Sequence, residues 1–140
     1  MTLAFKIKFM KLRNLTLSLF LLFLICSWLL PINTIAQSQI GSDIDGEAAF
    51  DESGYSVSMP DTNTLAVAAL FDDTNGNNAG NVRIFHWNGS SWQQKGSNIN
   101  GEAADDRSGF SVSMPDSNTV AIGAYYNDGK GSNAGHVRVY

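Results

Sequence analysis

Residues 54–70, GYSVSMPDTNTLAVAAL, return as residues 109–125, GFSVSMPDSNTVAIGAY, with conservative changes and no gap. In each copy apolar residues alternate with serine: Tyr55, Val57 and Met59 with Ser56 and Ser58, then Phe110, Val112 and Met114 with Ser111 and Ser113. A period of two is that of a β-strand, here strand a, with the serines at outward positions. Pro60-Asp61-Thr62-Asn63 and Pro115-Asp116-Ser117-Asn118 supply a reversal, proline fixing φ and Asp or Asn bonding to the nearby backbone. Strand b follows at residues 65–70 and 120–125. It carries Leu65 and Val67, or Val120 and Ile122, on one face and Ala66 and Ala68, or Ala121 and Gly123, on the other. Two apolar faces predict a strand covered on both sides.

The repetition extends outward at an offset of about 55 residues, from Gln39 against Gln94 to Phe85 against Tyr140. After a loop rich in Asp, Asn and Gly comes strand c, NVRIFHW in the first copy and HVRVY in the second. Val82 and Ile84 alternate there with Arg83 and Phe85, which predicts a strand near the rim. WNGSSW, residues 87–92, reads as a hairpin leading into strand d, WQQKG. Four antiparallel strands per repeat predict an all-β chain made of β-propeller blades, units that must stack on copies of themselves to bury their faces. Gln37–Gly41 aligns with Trp92–Gly96 and is expected to be the strand d of a preceding blade. The expected division is a signal peptide over 1–36, that strand d plus the first blade over 37–98, and strands a to c of a second blade over 99–140. Propellers close with about four to eight blades, so two blades imply a fragment of a longer propeller or a ring assembled from several chains. Uncovered blade faces would promote self-association.

The N-terminus reads as an export signal. Lys6, Lys8, Lys11 and Arg13 precede an apolar run from Leu15 to Leu30, Pro31 breaks it, and Thr34-Ile35-Ala36 places small residues before a cut ahead of Gln37. A secreted or cell-surface location is expected, with a helical signal. An uncleaved anchor fits less well, because a spanning helix wants about 20 apolar residues. Cys26, the sole cysteine, leaves with the leader, so the exported part is held together without disulfides. Losing the four basic residues of the leader takes the formal charge from −4 to −8. Such a surface disfavours nucleic acid and anionic membrane as partners, and leaves a protein or glycan outside the cell.

At the level of G(Y/F)SVSMPD, A(V/I)(A/G)A and NAG(N/H)VR(I/V)(F/Y), the repeats resemble the FG-GAP family, the β-propeller repeat of integrin α-subunit heads and many bacterial secreted proteins. Gly54-Tyr55 and Gly109-Phe110 stand where that family has its Phe-Gly region. The resemblance implies an extracellular propeller without assigned chemistry. Integrin-type repeats carry a D-x-D-x-D-G calcium loop between strands a and b. Here that turn has shrunk to PDTN and PDSN, too few oxygens for a cation that wants six to eight. This is a variant without the usual calcium site, and no cofactor is expected.

Several local patterns carry candidate chemistry. Asp72, Asp73, Asn75 and Asn77 in the b–c loop present oxygens at a spacing that can wrap calcium, whereas the second copy has Asp128, Lys130 and Ser132 there. A Gly/Asn-rich turn explains the same residues. Glu47 with Asp51, and Glu102 with Asp106, are carboxylate pairs in a repeated linker; capping of turns explains them better than acid/base catalysis. Trp87 and Trp92 could stack on a glycan, or form a cross-strand pair across their hairpin. His86 and His136 have no second ligand at metal spacing, and the serines form no nucleophile elbow. The reading is a non-enzymatic propeller module for adhesion or protein interaction. The alternatives are a lectin-like propeller assembled from several two-blade chains, or the non-catalytic part of a secreted hydrolase.

Overall fold

The computed structural model describes residues 36–140, so the expected signal helix and leader lie outside the described residues. Residues Gln39–Tyr140 form one compact unit of antiparallel strands, and the described residues contain no helix. In the first repeat, β1 (Ser53–Asp61) pairs with β2 (Thr64–Ala69), and the reversal is only Thr62-Asn63. The Asp61 Oδ1 accepts the Asn63 N–H at 2.7 Å and its Oδ2 accepts the Thr64 hydroxyl at 3.3 Å, so one carboxylate closes the turn. Pro60 therefore lies within β1, not in the turn. Its missing N–H is tolerated because β1 is an edge strand.

β3 (Asn81–Trp87) pairs with β2 along its length. Across the next hairpin Trp87 pairs with Trp92 over four residues, and Asn88 Oδ1 accepts the N–H groups of Ser90 and Ser91, each at 2.9 Å. The outer strand comes in two pieces, β4 (Trp92–Gln94) and β5 (Ile99–Asn100), both paired with β3. The Lys95 N–H still reaches the Ile84 carbonyl at 2.7 Å before the chain bulges at Gly96, where φ is 78°. Strand d is thus one bulged strand. β3 is not near a rim: Asn81 to Phe85 are all buried, because β2 and β4/β5 flank the strand while the second repeat covers a face.

The second repeat forms its own sheet, ordered β6 (Ser108–Asp116), β7 (Thr119–Ala124) and β8 (His136–Val139), with β8 at an edge. Its registers reproduce those of the first, including both irregularities in strand a. Gln37–Gly41 forms no strand. A strand d there would extend the strand c of a preceding blade, and β4 and β5 already fill that place beside β3. The Ile40 carbonyl instead accepts the Trp92 Nε1–H at 3.1 Å.

The core lies between the two sheets. Ala66, Ala68, Val82 and Ile84 of the first pack against Met114, Val120 and Ile122 of the second, with Ile99 and Val112 at the margin. Alanine on β2 lets the sheets approach, and fully burying one branched side chain such as Ile122 stabilises by about 1.5–3 kcal/mol. Ser56 and Ser58 point inward, contrary to the outward positions expected: their hydroxyls accept the N–H groups of Val112 at 3.1 Å and Met114 at 2.9 Å. In the second copy the faces are used the other way round. Val112 and Met114 meet the first sheet, while Ser111 and Ser113 are exposed.

Glycine decides how closely the sheets meet. Gly109 has φ 96°, and a Cβ there would lie 2.8 Å from the Ala68 Cβ and 3.0 Å from the Asn81 carbonyl oxygen. Its counterpart Gly54 has φ 92° and nothing within 4 Å of such an atom. The same backbone shape is present twice, and only one copy has a neighbour to fit.

Candidate functional site

The two sheets leave a groove at the end where the a–b turns lie. An open cavity of about 550 Å³ is lined by Asp61, Asn63, Thr64, His86, Gln93, Gln94 and Lys95 of the first repeat and Ser117 of the second. A smaller, more apolar hollow of about 270 Å³ continues from it, with Ile84, Ile99, Met114, Val120 and Tyr140 in its walls. Lys95 and Ser117 belong to both, and the Lys95 Nζ donates to the Ser117 carbonyl at 3.1 Å. The first repeat supplies the larger cavity's lining except for Ser117, whereas both repeats wall the smaller hollow. The polar wall of the groove offers carboxylate, amide, imidazole and ammonium groups above an apolar floor, a lining suited to a ligand held by several hydrogen bonds.

The linker carboxylates are structural. Asp51 Oδ2 accepts the Ala48 N–H at 2.9 Å; buried Asp106 accepts the Ala103 N–H and the Asn127 Nδ2–H, each at 3.0 Å. Glu47 accepts Asn98 Nδ2–H at 2.7 Å and Asn81 Nδ2–H at 3.3 Å, and lies 3.9 Å from the Arg83 Nε. Arg83, only 6 % exposed, donates from Nη2 to the Asp45 carbonyl at 2.7 Å and to the Ser53 hydroxyl at 3.1 Å. Arg138 repeats the arrangement on the Asn100 carbonyl, Ser108 and Glu102. The Val-Arg of each strand c is therefore a clamp on the linker that enters strand a, a role concealed because its partners are far away in sequence.

The loop holding Asp72, Asp73, Asn75 and Asn77 joins the repeats. Asp72 accepts the Thr74 N–H at 3.0 Å and the Thr74 hydroxyl at 3.1 Å, and Asp73 accepts the Asn78 N–H at 2.7 Å. Asn75 Nδ2 donates to the Gly101 carbonyl at 2.7 Å, and the Asn77 carbonyl accepts the Asp105 N–H at 2.7 Å. Gly101, Arg107 and Ser108 likewise donate N–H groups to the carbonyls of Gly80, Asn78 and Ala79. The four residues come together in one loop, but their polar groups are directed to the loop backbone and the next linker. Among the described residues no three His, Cys, Asp or Glu side chains gather as a metal site would require.

Trp87 and Trp92 are brought together as a cross-strand pair, ring centroids 5.5 Å apart and tilted by 56°. Gly41 lies against them, so close that a Cβ on it would fall 2.6 Å from the Trp87 Cζ3, and part of the aromatic surface is covered by the chain itself. His86 faces the groove, whereas His136 Nδ1 lies 3.6 Å from Glu102. Arg107 donates to the Tyr125 hydroxyl at 2.9 Å, which pushes its pKa above the ordinary value, and its guanidinium lies over Tyr126 and Phe71. Nothing in the sequence marks Asp61, Asn63, Gln93, Gln94 and Lys95 as one site. The one local signal was the polar run Gln93-Gln94-Lys95 on a short strand.

No curated protein and no solved structure matches the chain. The model of the FG-GAP repeat matches it twice, over residues 42–85 and 100–140. The first match covers the linker, β1, β2 and most of β3, the second covers the next linker and β6 to β8, and together they span more than half of the sequence. The chain belongs to the FG-GAP repeat family.

Proposed function

We propose that the chain is a non-catalytic interaction module, two blades of a β-propeller exported to the cell surface or the medium, serving adhesion to a protein ligand. The observation that carries this reading is the groove at the junction of the repeats, lined by Asp61, His86, Gln93, Gln94 and Lys95 of the first and bordered by Ser117 of the second. The linker carboxylates support the non-catalytic part, since Asp51 and Asp106 are engaged by backbone amides, which leaves them poorly placed as an acid/base couple. The leader-like residues 1–36 support export.

The amide-rich wall favours one second reading. Asn63, Gln93 and Gln94 present donors and acceptors together, the side chains that recognise sugar hydroxyls, which keeps a carbohydrate ligand in view. One experiment addresses both. The labelled full chain is applied to a panel of purified extracellular proteins and to a glycan array, beside the variant Gln93→Ala/Lys95→Glu. Saturable binding to a protein, weakened at least about tenfold by the variant, is the expected result; the same behaviour on a glycan selects the second reading. Saturable binding to neither, or binding indifferent to the variant, contradicts the assignment of the groove.

A further inference from the structure

The interface between the two repeats is a template for another one. The first repeat meets the second with Ser56, Ser58, Ala66, Ala68, Val82 and Ile84. In the second repeat the same places are held by Ser111, Ser113, Ala121, Gly123, Val137 and Val139. Ala121 and Gly123 are part-buried, and the other four are exposed among the described residues: Val137 is 67 % exposed where Val82 is fully buried. On the opposite side of the molecule, the residues that correspond to the receiving face of the second repeat are open too. Gly54, Val57 and Met59 stand where Gly109, Val112 and Met114 stand, and Met59 is 50 % exposed against 7 % for Met114.

The polar half of the template is open in the same way. The linker into β6 donates from Gly101, Asp105, Arg107 and Ser108 to the loop of the first repeat. Its counterparts Gly46, Phe50, Glu52 and Ser53 find no preceding loop among the described residues. Phe50 and Glu52 nevertheless hold the left-handed conformations of Asp105 and Arg107, φ 71° and 51° against 62° and 53°. The loop that would receive them, around Asn133, repeats the conformation of Asn78, φ 52° against 51°. The pairing of Asn81 and Val82 with Asn100 and Ile99 has its equivalent in His136 and Val137, on the edge of β8, against Asp45 and Ile44.

We propose that these two faces seat each other on separate copies of this chain, the second repeat of one copy against the first repeat of the next. Each apolar residue, each strand-edge amide and each linker amide on one face has its counterpart on the other, in a register already realised once within the chain. Ser111 and Ser113 then accept the N–H groups of Val57 and Met59, and Ile44-Asp45 adds to the edge of β8. A contact of this head-to-tail kind propagates or closes; at the four to eight blades of a propeller it closes with about two to four copies. Phe50 and Glu52 replace Asp105 and Arg107, so the Asn78–Asp105 hydrogen bond and the Arg107 contact with Phe71 have no counterpart between copies. With the tether also lost, the contact between copies is weaker than the one within the chain and depends on concentration. This inference rests on the stacking of the repeats and does not depend on what the groove binds.

The test is the mass in solution of the full chain, produced in a secreting host and measured by light scattering over a range of concentrations. The expected result is an assembly of two to four copies that dissociates on dilution. Met59→Lys and Val137→Asp should each weaken it by more than about 100-fold, since each buries an unpaired charge. Circular dichroism should remain that of the parent, because both side chains are more than or close to half exposed in the single chain. Mixing the two variants leaves one intact pair of faces and should give a heterodimer. A parent that stays monomeric at every concentration overturns the proposal and assigns the faces to another segment or partner; so does a mixture that stays monomeric, or an assembly that ignores both changes. Should a variant fail to fold, amide exchange of the parent decides instead: Val57 and Met59 must slow with rising concentration, and exchange independent of concentration overturns the proposal.

Discussion

The Ser58 hydroxyl accepts the backbone N–H of Met114 at 2.9 Å, so an exposed-looking serine of one repeat satisfies the edge of the next. Its counterpart, Ser113, faces outward in the single chain. Ser58→Ala should therefore destabilise the fold by about 1–2 kcal/mol, because it leaves a part-buried amide without an acceptor. Ser113→Ala should stay within about 0.5 kcal/mol under dissociating conditions. Urea denaturation measures both, and equal effects would place the two serines in equivalent surroundings, against the structure.

Gly109 and Gly54 give a second matched pair. Both pay the strain of a side chain at positive φ when changed to alanine, about 1 kcal/mol. Only Gly109→Ala also forces a methyl group to within 2.8 Å of Ala68, which adds about 1–3 kcal/mol of overpacking. Thermal melting of the dilute chains should show a clearly larger loss for Gly109→Ala. Equal losses would mean that the sheets are further apart than described.

The fold was legible where its causes are local. Strands a and b, a reversal closed by Asp61 and the tryptophan hairpin follow from Asp61, Asn88 and the period of two, all within a few residues of what they determine, although the reversal is two residues long and leaves Pro60 in the strand, where the sequence suggests a four-residue turn. Strand c was misplaced at the rim because Arg83 reads as a solvent-facing residue. Its partners Asp45, Glu47 and Ser53 lie about thirty residues or more upstream, and local alternation carries no trace of them. The same limit applies to Ser56 and Ser58. A strand with a polar and an apolar face does not reveal which face meets a neighbour when stacking uses both. Asn75 looked like a ligand position, and its actual partner is the Gly101 carbonyl across the repeat boundary. The groove leaves no local pattern, since Asp61, His86 and Lys95 of the first repeat and Ser117 of the second meet there only through the fold.

Arg83→Met tests the clamp. The change leaves the Asp45 carbonyl and the Ser53 hydroxyl without their buried donor and removes the charge beside part-exposed Glu47, and a loss of about 1–3 kcal/mol is expected, a large share of a small domain's stability. Arg138→Met, on the less buried copy of the same clamp, should cost less. Chemical denaturation ranks them, and the reverse order would contradict the burial described for β3 and β8.

Calcium should leave the melting temperature unchanged, with or without a chelator. Asp72 and Asp73 already accept hydrogen bonds from Thr74 and Asn78, and replacing those bonds would unwind the loop that carries the next linker. A calcium-dependent rise that is lost in Asp73→Asn would show instead that the loop reorganises around the ion, as the residue spacing allows.

Amide hydrogen exchange of the dilute chain tests the central claim, that the repeats stack with the serine face of one strand a against the apolar face of the other. The account predicts slow exchange at Val112 and Met114, whose N–H groups are held by Ser56 and Ser58, and fast exchange at the equivalent Val57 and Met59. Exchange at Val112 and Met114 as fast as at Val57 and Met59 would contradict it.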